Sequence, residues 1–220
     1  MAMRRVLVMT AVEAEREAVL RGLQGNSRFE VALAGVGPAR AAARTARALA
    51  QANAPFDLVI SAGIGGGFAG VAAVGSIVVA DRIVAADLGA ESPDGFLTVD
   101  ELGFGSAVVE ADAALAERLV RRLAEGGLQA AAGAVLTVSA ATGSAQKAAE
   151  RVARVTGAAA EGMEGYGVAV AAQEWGLPAL EIRTISNPVG PRDRSAWRIK
   201  EALGALEAAA AAFPDALLDG

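Results

Sequence analysis

The sequence contains neither histidine nor cysteine among its 220 residues. A Ser-His-Asp triad, a Cys-His dyad and a histidine-ligated zinc site are therefore excluded. Disulfide bonds are excluded as well, so the fold has to rest on its hydrophobic core. If the protein activates water, a carboxylate is the natural general base, because no imidazole or thiol is present.

Lysine and aromatic residues are also scarce. Only Lys147 and Lys200 are lysines, aromatic residues make up 4% of the chain, and the formal net charge is −5. These features disfavour a nucleic-acid-binding module, which usually presents a basic face with stacking aromatic side chains. The hydrophobic fraction of 54% is too high for a disordered chain, and the length favours one domain over residues 1–220.

Long hydrophobic runs are missing too. The residues from Met1 to Arg5 are partly basic, but the apolar run that follows them ends at Ala11, before Glu13. This run is too short for a secretory signal peptide and far too short to span a bilayer. We therefore expect a cytoplasmic protein that has neither a membrane partner nor a nucleic-acid partner.

Apolar, strand-like runs alternate with helical segments along the chain. Residues 6–10, 57–61 and 179–185 are typical of buried strands. The alternation predicts an α/β fold, a three-layer α/β/α arrangement around a mixed, mostly parallel central sheet. Because ligands bind beyond the carboxyl ends of strands in such sheets, the residues that follow strands are the candidates for function. They are Glu13, Glu15, residues 63–67, Thr142, Ser186 and Asn187.

The glycine-rich segment formally contains a dinucleotide-binding fingerprint, Gly65-x-Gly67-x-x-Gly70. The fingerprint requires a helix directly after it, because the helix N-terminus faces the pyrophosphate. Residues 71–79 instead predict a turn and another strand. We therefore interpret the segment as a glycine-rich turn that lets the backbone approach a small ligand closely.

Three polar segments each allow a structural and a functional interpretation. The acids Glu13, Glu15 and Glu17 either stabilise a helix N-terminus or supply a general base in the ligand crevice. Glu164 is either a helix cap or an acceptor for the two hydroxyls of a ribose. Asn187 lies either in a connector stiffened by two prolines or in a loop that presents its amide to the edge of a base.

In their order and spacing these motifs resemble the nucleoside phosphorylase and nucleosidase superfamily over nearly the whole chain. Within it, the chain is similar to bacterial purine nucleosidases, and residues 189–194 with Trp197 are most similar to the futalosine hydrolases. The other matching motifs are Ala11-Val12-Glu13-Ala14-Glu15, Gly35-Val36-Gly37, Ser61-Ala62-Gly63-Ile64-Gly65-Gly66, Met163-Glu164-Gly165 and Arg183-Thr184-Ile185-Ser186-Asn187.

The resemblance implies a role for each candidate. Glu15 and Asn187 take the catalytic positions, Glu15 as the glutamate that activates water. Glu164 takes the position of the ribose-binding glutamate, with Met163 packed under the sugar. The substrate-binding candidates are Ile64, Gly65, Thr142, Met163 and Glu164.

Two positions depart from the adenine-specific members of the superfamily. Gly162 stands where those relatives carry another glutamate, which leaves the role of the neighbouring Glu161 open. Asn187 stands where they carry an aspartate that protonates the base. An asparagine can donate to N7 or to a 6-oxo oxygen and can accept from N1–H, so Asn187 favours a 6-oxopurine such as hypoxanthine over adenine.

The resemblance implies hydrolysis of the N-glycosidic bond of futalosine, a hypoxanthine nucleoside of menaquinone biosynthesis, with no metal and no cofactor. It also implies a homodimer or other homo-oligomer in which a neighbour's loop closes the site. Arg192 and Arg194 are candidates, by charge alone, for the anionic 5′ arm of the substrate. A methylthioadenosine/adenosylhomocysteine nucleosidase and a noncatalytic nucleoside-binding protein remain alternatives. A phosphorylase remains one too, but the acidic segment around Arg16 disfavours phosphate binding.

Overall fold

The computed structural model describes residues 5–218, so Met1 to Arg4 and the last two residues lie outside this range. In the described part, ten strands and seven helices follow one another. The strands are β1 (Val6–Thr10), β2 (Phe29–Leu33), β3 (Leu58–Gly67), β4 (Ile77–Ala85), β5 (Gly89–Ser92), β6 (Gly95–Thr98), β7 (Val108–Glu110), β8 (Ala130–Thr137), β9 (Ala158–Gly162) and β10 (Ala179–Pro188). The helices are α1 (Glu13–Leu23), α2 (Pro38–Gln51), α3 (Ala113–Glu125), α4 (Ala145–Arg154), α5 (Gly165–Glu174), α6 (Ile199–Ala211) and α7 (Phe213–Leu217).

Eight of the strands form one mixed sheet that closes on itself through the long strand β3. Parallel pairing joins β2 to β1, β1 to β3, β3 to β10, β4 to β8 and β8 to β9. Antiparallel pairing joins β10 to β4, β3 to β9 and β4 to β7. The predicted mixed, mostly parallel sheet is therefore confirmed. Strands β5 and β6 form a separate hairpin.

Helices cover both faces of the sheet. On one face, α1, α3, α6 and α7 pack over residues such as Val8, Ile60 and Ile182. On the other face, α2 and α5 pack over residues such as Met9 and Val59. Successive strand residues point to opposite faces, and both faces are apolar, which explains the continuous apolar runs in the sequence. The predicted three-layer α/β/α arrangement is confirmed.

Strand β3 is longer than the sequence analysis predicted. Residues 63–67, expected to form a turn, continue the strand as far as Gly67, and the chain turns only after Phe68. A Cβ atom at Gly67 would lie 2.2 Å from the carbonyl oxygen of Ala72, so a side chain does not fit there. The turn prediction was wrong, because these glycines provide space within a strand.

Two further features of the fold concern β9 and the C-terminal helices. Strand β9 was not predicted, because its sequence Ala-Ala-Ala-Glu-Gly contains no β-branched or aromatic residue. The helical C-terminal segment is divided into α6 and α7, with Pro214 in the first turn of α7, where the missing N–H of proline is harmless. No helix within residues 5–218 combines the length and the apolar character that crossing a membrane requires.

Gly22 lets α1 approach α6 closely. A Cβ atom at this position would lie 2.2 Å from the carbonyl oxygen of Glu207 and 2.8 Å from the Cβ of Ala210. We expect Gly22→Ala to lower the free energy of unfolding by about 1–3 kcal/mol, the usual cost of overpacking. Gly204→Ala in α6, where the surrounding space is open, is the control and should stabilise by about 0.5–1 kcal/mol. Urea denaturation measures both, and equal effects would contradict this packing.

Candidate active site

A cavity of about 270 Å³ opens where several chain segments meet. Its wall consists of residues after β1 and β8, the second half of β3, the end of β9 with the residues after it, and the end of β10 with the loop beyond. All seven site residues predicted from the sequence line this cavity: Glu15, Ile64, Gly65, Thr142, Met163, Glu164 and Asn187. The structure therefore brings the candidates together, while their chemical roles stay predictions.

Glu15 lies in the first turn of α1 and is held by backbone amides. One carboxylate oxygen accepts from the amides of Ala11 and Val12, at 2.9 and 3.2 Å, and the other accepts from the amide of Ile64 at 2.9 Å. Burial raises the pKa of Glu15 above its ordinary value, while the charge of Arg183 and the amide bonds oppose that rise. An oriented carboxylate with a raised pKa suits a general base.

Arg183 lies buried behind the cavity, and sequence analysis did not name it as a site residue. Its Nη1 is 3.2 Å from Oε2 of Glu164 and donates to the carbonyl oxygen of Ile64 at 3.3 Å. Its Nη2 donates to Oγ of Ser61 at 3.2 Å. Burial lowers the pKa of Arg183, but three neighbouring carboxylates raise it by more, so this side chain stays cationic.

Glu164 is the residue that immediately precedes α5, which begins at Gly165. Its Oε1 accepts from the amide of Gly37 at 3.3 Å, and its Oε2 accepts from the amide of Met163 at the same distance. Its side chain makes no capping hydrogen bond to the described residues of its own helix. The carboxylate is therefore positioned at the cavity instead of serving as a helix cap.

Glu161 belongs to a separate buried network. Its Oε1 accepts from the amide of Thr142 at 2.8 Å, and its Oε2 accepts from the hydroxyl of Thr142 and from Nη1 of Arg151, each at 2.5 Å. Arg151 also donates to the carbonyl oxygen of Ala140 at 3.3 Å. This network anchors the loop after β8, which carries Thr142, against the cavity.

Two glycines provide the space that the buried guanidinium occupies. A Cβ atom at Gly162 would lie 2.8 Å from both Nε and Cζ of Arg183. A Cβ atom at Gly63 would lie 2.6 Å from Oε1 of Glu15 and 2.9 Å from Nη1 of Arg183. A glutamate at position 162 is therefore incompatible with this position of Arg183, which accounts for the departure noted in the sequence.

Asn187 is half-buried and follows an irregularity in the pairing of β10 with β3. Its amide nitrogen donates to the carbonyl oxygen of Pro188 at 3.0 Å, and its amide oxygen accepts from the hydroxyl of Ser186 at 2.8 Å. An amide has a second hydrogen and a second lone pair, so both of its ends can still engage a ligand. Bulges of this kind redirect a side chain next to a binding site.

Side chains from the exposed loop after β10 complete the cavity wall. The guanidinium carbon of Arg192 lies 5.4 Å from the centroid of the Trp197 ring, and that of Arg194 lies 5.9 Å from it. Arg192 and Trp197 line the cavity, whereas Arg194 does not. Within residues 5–218, no group of three or more acidic side chains is arranged to hold a metal ion.

Sequence reasoning missed Arg183, its neighbour Glu181, and Arg151. A signal for the first two was present, because two charged residues inside an otherwise apolar strand often mark a functional site. Arg151 gave no such signal. It stands on a helix with a polar face, and an arginine in that setting is mostly exposed.

The sequence matches the family model described as the phosphorylase superfamily over residues 9–219. A futalosine hydrolase from Streptomyces coelicolor is 52% identical over 219 residues, covering 91% of this chain and 91% of that protein. A futalosine hydrolase from Acidothermus cellulolyticus is 45% identical, covering 94% of this chain and 89% of that protein. The chain belongs to the futalosine hydrolases.

The futalosine hydrolase family lies within the phosphorylase superfamily, so the resemblance drawn from the motifs is confirmed at both levels. Among solved structures, a methylthioadenosine/adenosylhomocysteine nucleosidase from Neisseria meningitidis superposes with a TM-score of 0.79 and 20% identity. The match covers 96% of this chain and 97% of that chain. At this identity the likeness shows a shared fold.

Proposed function

We propose that this chain hydrolyses the N-glycosidic bond of futalosine, releasing hypoxanthine and dehypoxanthine futalosine in menaquinone biosynthesis. The placement of Glu15, Glu164 and Asn187 around one cavity of about 270 Å³ carries the proposal. The identity of 52% with the Streptomyces futalosine hydrolase supports the same substrate. We also propose that the reaction takes place in the cytoplasm.

In the proposed mechanism the C1′–N9 bond stretches first, which gives the ribose oxocarbenium character. The bonding electron pair leaves with the purine, and the amide of Asn187 stabilises the charge that develops there. Glu164 accepts hydrogen bonds from the ribose hydroxyls. Glu15 removes a proton from a water molecule whose oxygen bonds to C1′, and the departing purine takes a proton from solvent.

The charges around the cavity favour hydrolysis over phosphorolysis. Arg16 is next to Glu15 in sequence, but it donates to Glu13 at 2.6 Å and does not line the cavity. Among the described residues that line the cavity, Arg192 is the one cation, and it lies in an exposed loop. A phosphate dianion is usually bound by several charged or hydroxyl donors. The hydroxyls in this wall, on Thr142 and Ser186, already donate to the side chains of Glu161 and Asn187.

The proposed activity is tested with futalosine, in the presence and absence of phosphate, by identifying the released base and sugar chromatographically. We expect hypoxanthine without phosphate and no sugar 1-phosphate. Glu15→Gln should lower kcat by about 10²- to 10⁴-fold, because the general base is lost. Glu17→Gln, on the exposed side of the same helix, is the matched control and should keep the wild-type rate. A kcat near wild type in Glu15→Gln would contradict the mechanism.

The pH dependence of the same reaction has a defined sign. Glu15 has to be ionised to accept a proton, and burial raises its pKa. The value of kcat/KM should therefore fall as the pH drops through this raised pKa, above the range of an ordinary glutamate. This fall is the acid limb of the pH profile. If its apparent pKa lay at or below that of an ordinary glutamate, the result would count against Glu15 as the base.

The choice of base gives a second prediction. Asn187 cannot protonate a purine at neutral pH, whereas an aspartate can take up and deliver a proton. Asn187→Asp should therefore shift the ratio of kcat/KM for methylthioadenosine over that for futalosine upward by at least about tenfold. Asn187→Ala, which lacks both hydrogen-bonding ends, should lower kcat/KM for both nucleosides. An unchanged ratio in Asn187→Asp would show that another group determines which purine base is accepted.

We also propose a homodimer, as the resemblance implies. Phe104 is 83% exposed in the loop after the β5–β6 hairpin. The amide of Phe104 donates to the carbonyl oxygen of Val99, and the amide of Val99 donates to that of Leu88. The hydroxyl of Tyr166 donates to the carbonyl oxygen of Ser106. Leu88 and Tyr166 line a second, mainly apolar cavity of about 260 Å³. An exposed aromatic residue and an apolar cavity on one face can pair with a second copy about a two-fold axis.

Sedimentation equilibrium of the full chain should therefore show a dimer. Phe104→Ser should raise the dissociation constant at least about tenfold, because burying a phenylalanine contributes about 1.5–3 kcal/mol. Val152→Ser, at an exposed apolar residue of α4, is the control and should leave the association unchanged. A monomeric wild-type chain would contradict the proposal.

A further inference from the structure

The proposed mechanism gives no role to the buried acid Glu181. Glu181 and Arg183 are two residues apart in β10 and therefore face the same side of the sheet. Oε1 of Glu181 accepts from Nε of Arg183 at 2.8 Å, and neither side chain is more than 2% exposed. Oε2 of Glu181 has no hydrogen-bond partner among the described residues. Replacing a buried ion pair by apolar residues is often neutral or stabilising, so stability alone does not explain this pair.

Glu181 controls the orientation of the guanidinium. The hydrogen bond from Nε fixes one edge of this planar group, and the rest of the plane faces the site. Nη1 then reaches Oε2 of Glu164 at 3.2 Å, and Nη2 reaches Oγ of Ser61 at 3.2 Å. Without an acceptor at Nε, the group could rotate, and both contacts would be lost or lengthened.

The chain keeps space for the Glu181 carboxylate at the start of α5. A Cβ atom at Gly165 would lie 1.9 Å from Oε2 of Glu181 and 2.3 Å from its Oε1. Gly165 directly follows Glu164, so the carboxylate of Glu181 packs against the segment that carries the proposed ribose-binding glutamate. Glu181 is thus linked to Glu164 twice, once through Arg183 and once through the backbone of Gly165.

We propose that Glu181 is a positioning residue for the nucleosidase reaction, because it orients Arg183 and through it the carboxylate of Glu164. This inference rests on the proposed function, since Glu164 and Glu15 act on the substrate there. Glu181 itself lies behind the cavity and does not line it.

The charges of this cluster give the inference a measurable signature. Three carboxylates, Glu15, Glu164 and Glu181, surround the single cation Arg183. Burial has the largest effect and raises the pKa of Glu15; the charge of Arg183 opposes that rise, and the charge of Glu164 adds to it. Burial raises the pKa of Glu181, and its ion pair with Arg183 opposes that rise. Without the negative charge of Glu181, Arg183 stabilises the ionised forms of Glu15 and Glu164 more strongly. The pKa of Glu15 should therefore fall when the charge of an ionised Glu181 is removed.

Two variants separate the hydrogen bond from the charge. Glu181→Met removes both and should lower kcat by about tenfold to a hundredfold, since a misplacement of about 1 Å costs that much. The acid limb of kcat/KM should also move to lower pH. Glu181→Gln keeps an acceptor for Nε, so it should recover most of kcat while its acid limb stays displaced. Thr184→Val is the matched control, because Thr184 is buried in the same strand and donates to Ala202 on α6.

The inference is overturned if folded Glu181→Met keeps the wild-type kcat and acid limb, or if Glu181→Gln is as slow as Glu181→Met. If Glu181→Met does not fold, the acid limb of Glu181→Gln decides. A measurement independent of turnover is the pKa of the Glu15 carboxyl, followed by ¹³C NMR in wild type and Glu181→Gln. An unchanged pKa also overturns the inference. A wild-type chain that leaves futalosine intact would instead overturn the proposed function, and the NMR comparison would still decide the role of Glu181.

Discussion

The site depends on one buried cation, the guanidinium of Arg183. A charge of this kind is costly to bury unless every side of it is paired. Here the neighbouring acids are Glu15, Glu164 and Glu181, while the carbonyl oxygen of Ile64 and the hydroxyl of Ser61 accept from Nη1 and Nη2. The glycines near this cluster follow from the same constraint, because a Cβ atom at position 63, 162 or 165 would collide with the cation or its partners.

The sheet topology explains how a charged side chain reaches this place. Strands β3 and β10 are parallel neighbours of ten residues each, and Arg183 is paired in register with Gly63. Because Gly63 has no side chain, the guanidinium can extend across β3 toward Glu15. Strand β9 adds to β3 in the antiparallel sense at Gly66 and Gly67, which brings the segment after β9 to the same point.

The sequence predicted those parts of the site that depend on local features, such as the position of a residue relative to the end of a strand. Glu15 and Asn187 were recognised because they stand at or just beyond the end of an apolar strand, and the α/β class followed from the alternation of elements. The contact of Arg151 with Glu161 was not predictable, because it joins α4 to β9 and depends on how these two elements pack against each other. The glycines of β3 were misread, since a pattern of glycines does not reveal whether the space they leave is filled by a ligand or by a neighbouring side chain.

In the proposed mechanism, the absence of histidine makes catalysis depend on the surroundings of Glu15. An exposed glutamate is too weak a base near neutral pH, and a fully buried one without a cation stays protonated. Burial raises the pKa of Glu15 and Arg183 lowers it, so the strength of the base follows from the position of one guanidinium. Asn187 stands four residues further along the same strand, beyond an irregularity in its pairing. In the proposed mechanism, base strength and base recognition are therefore set by separate groups on β10, and we expect a substitution at position 187 to change the accepted purine while Arg183 still acts on Glu15.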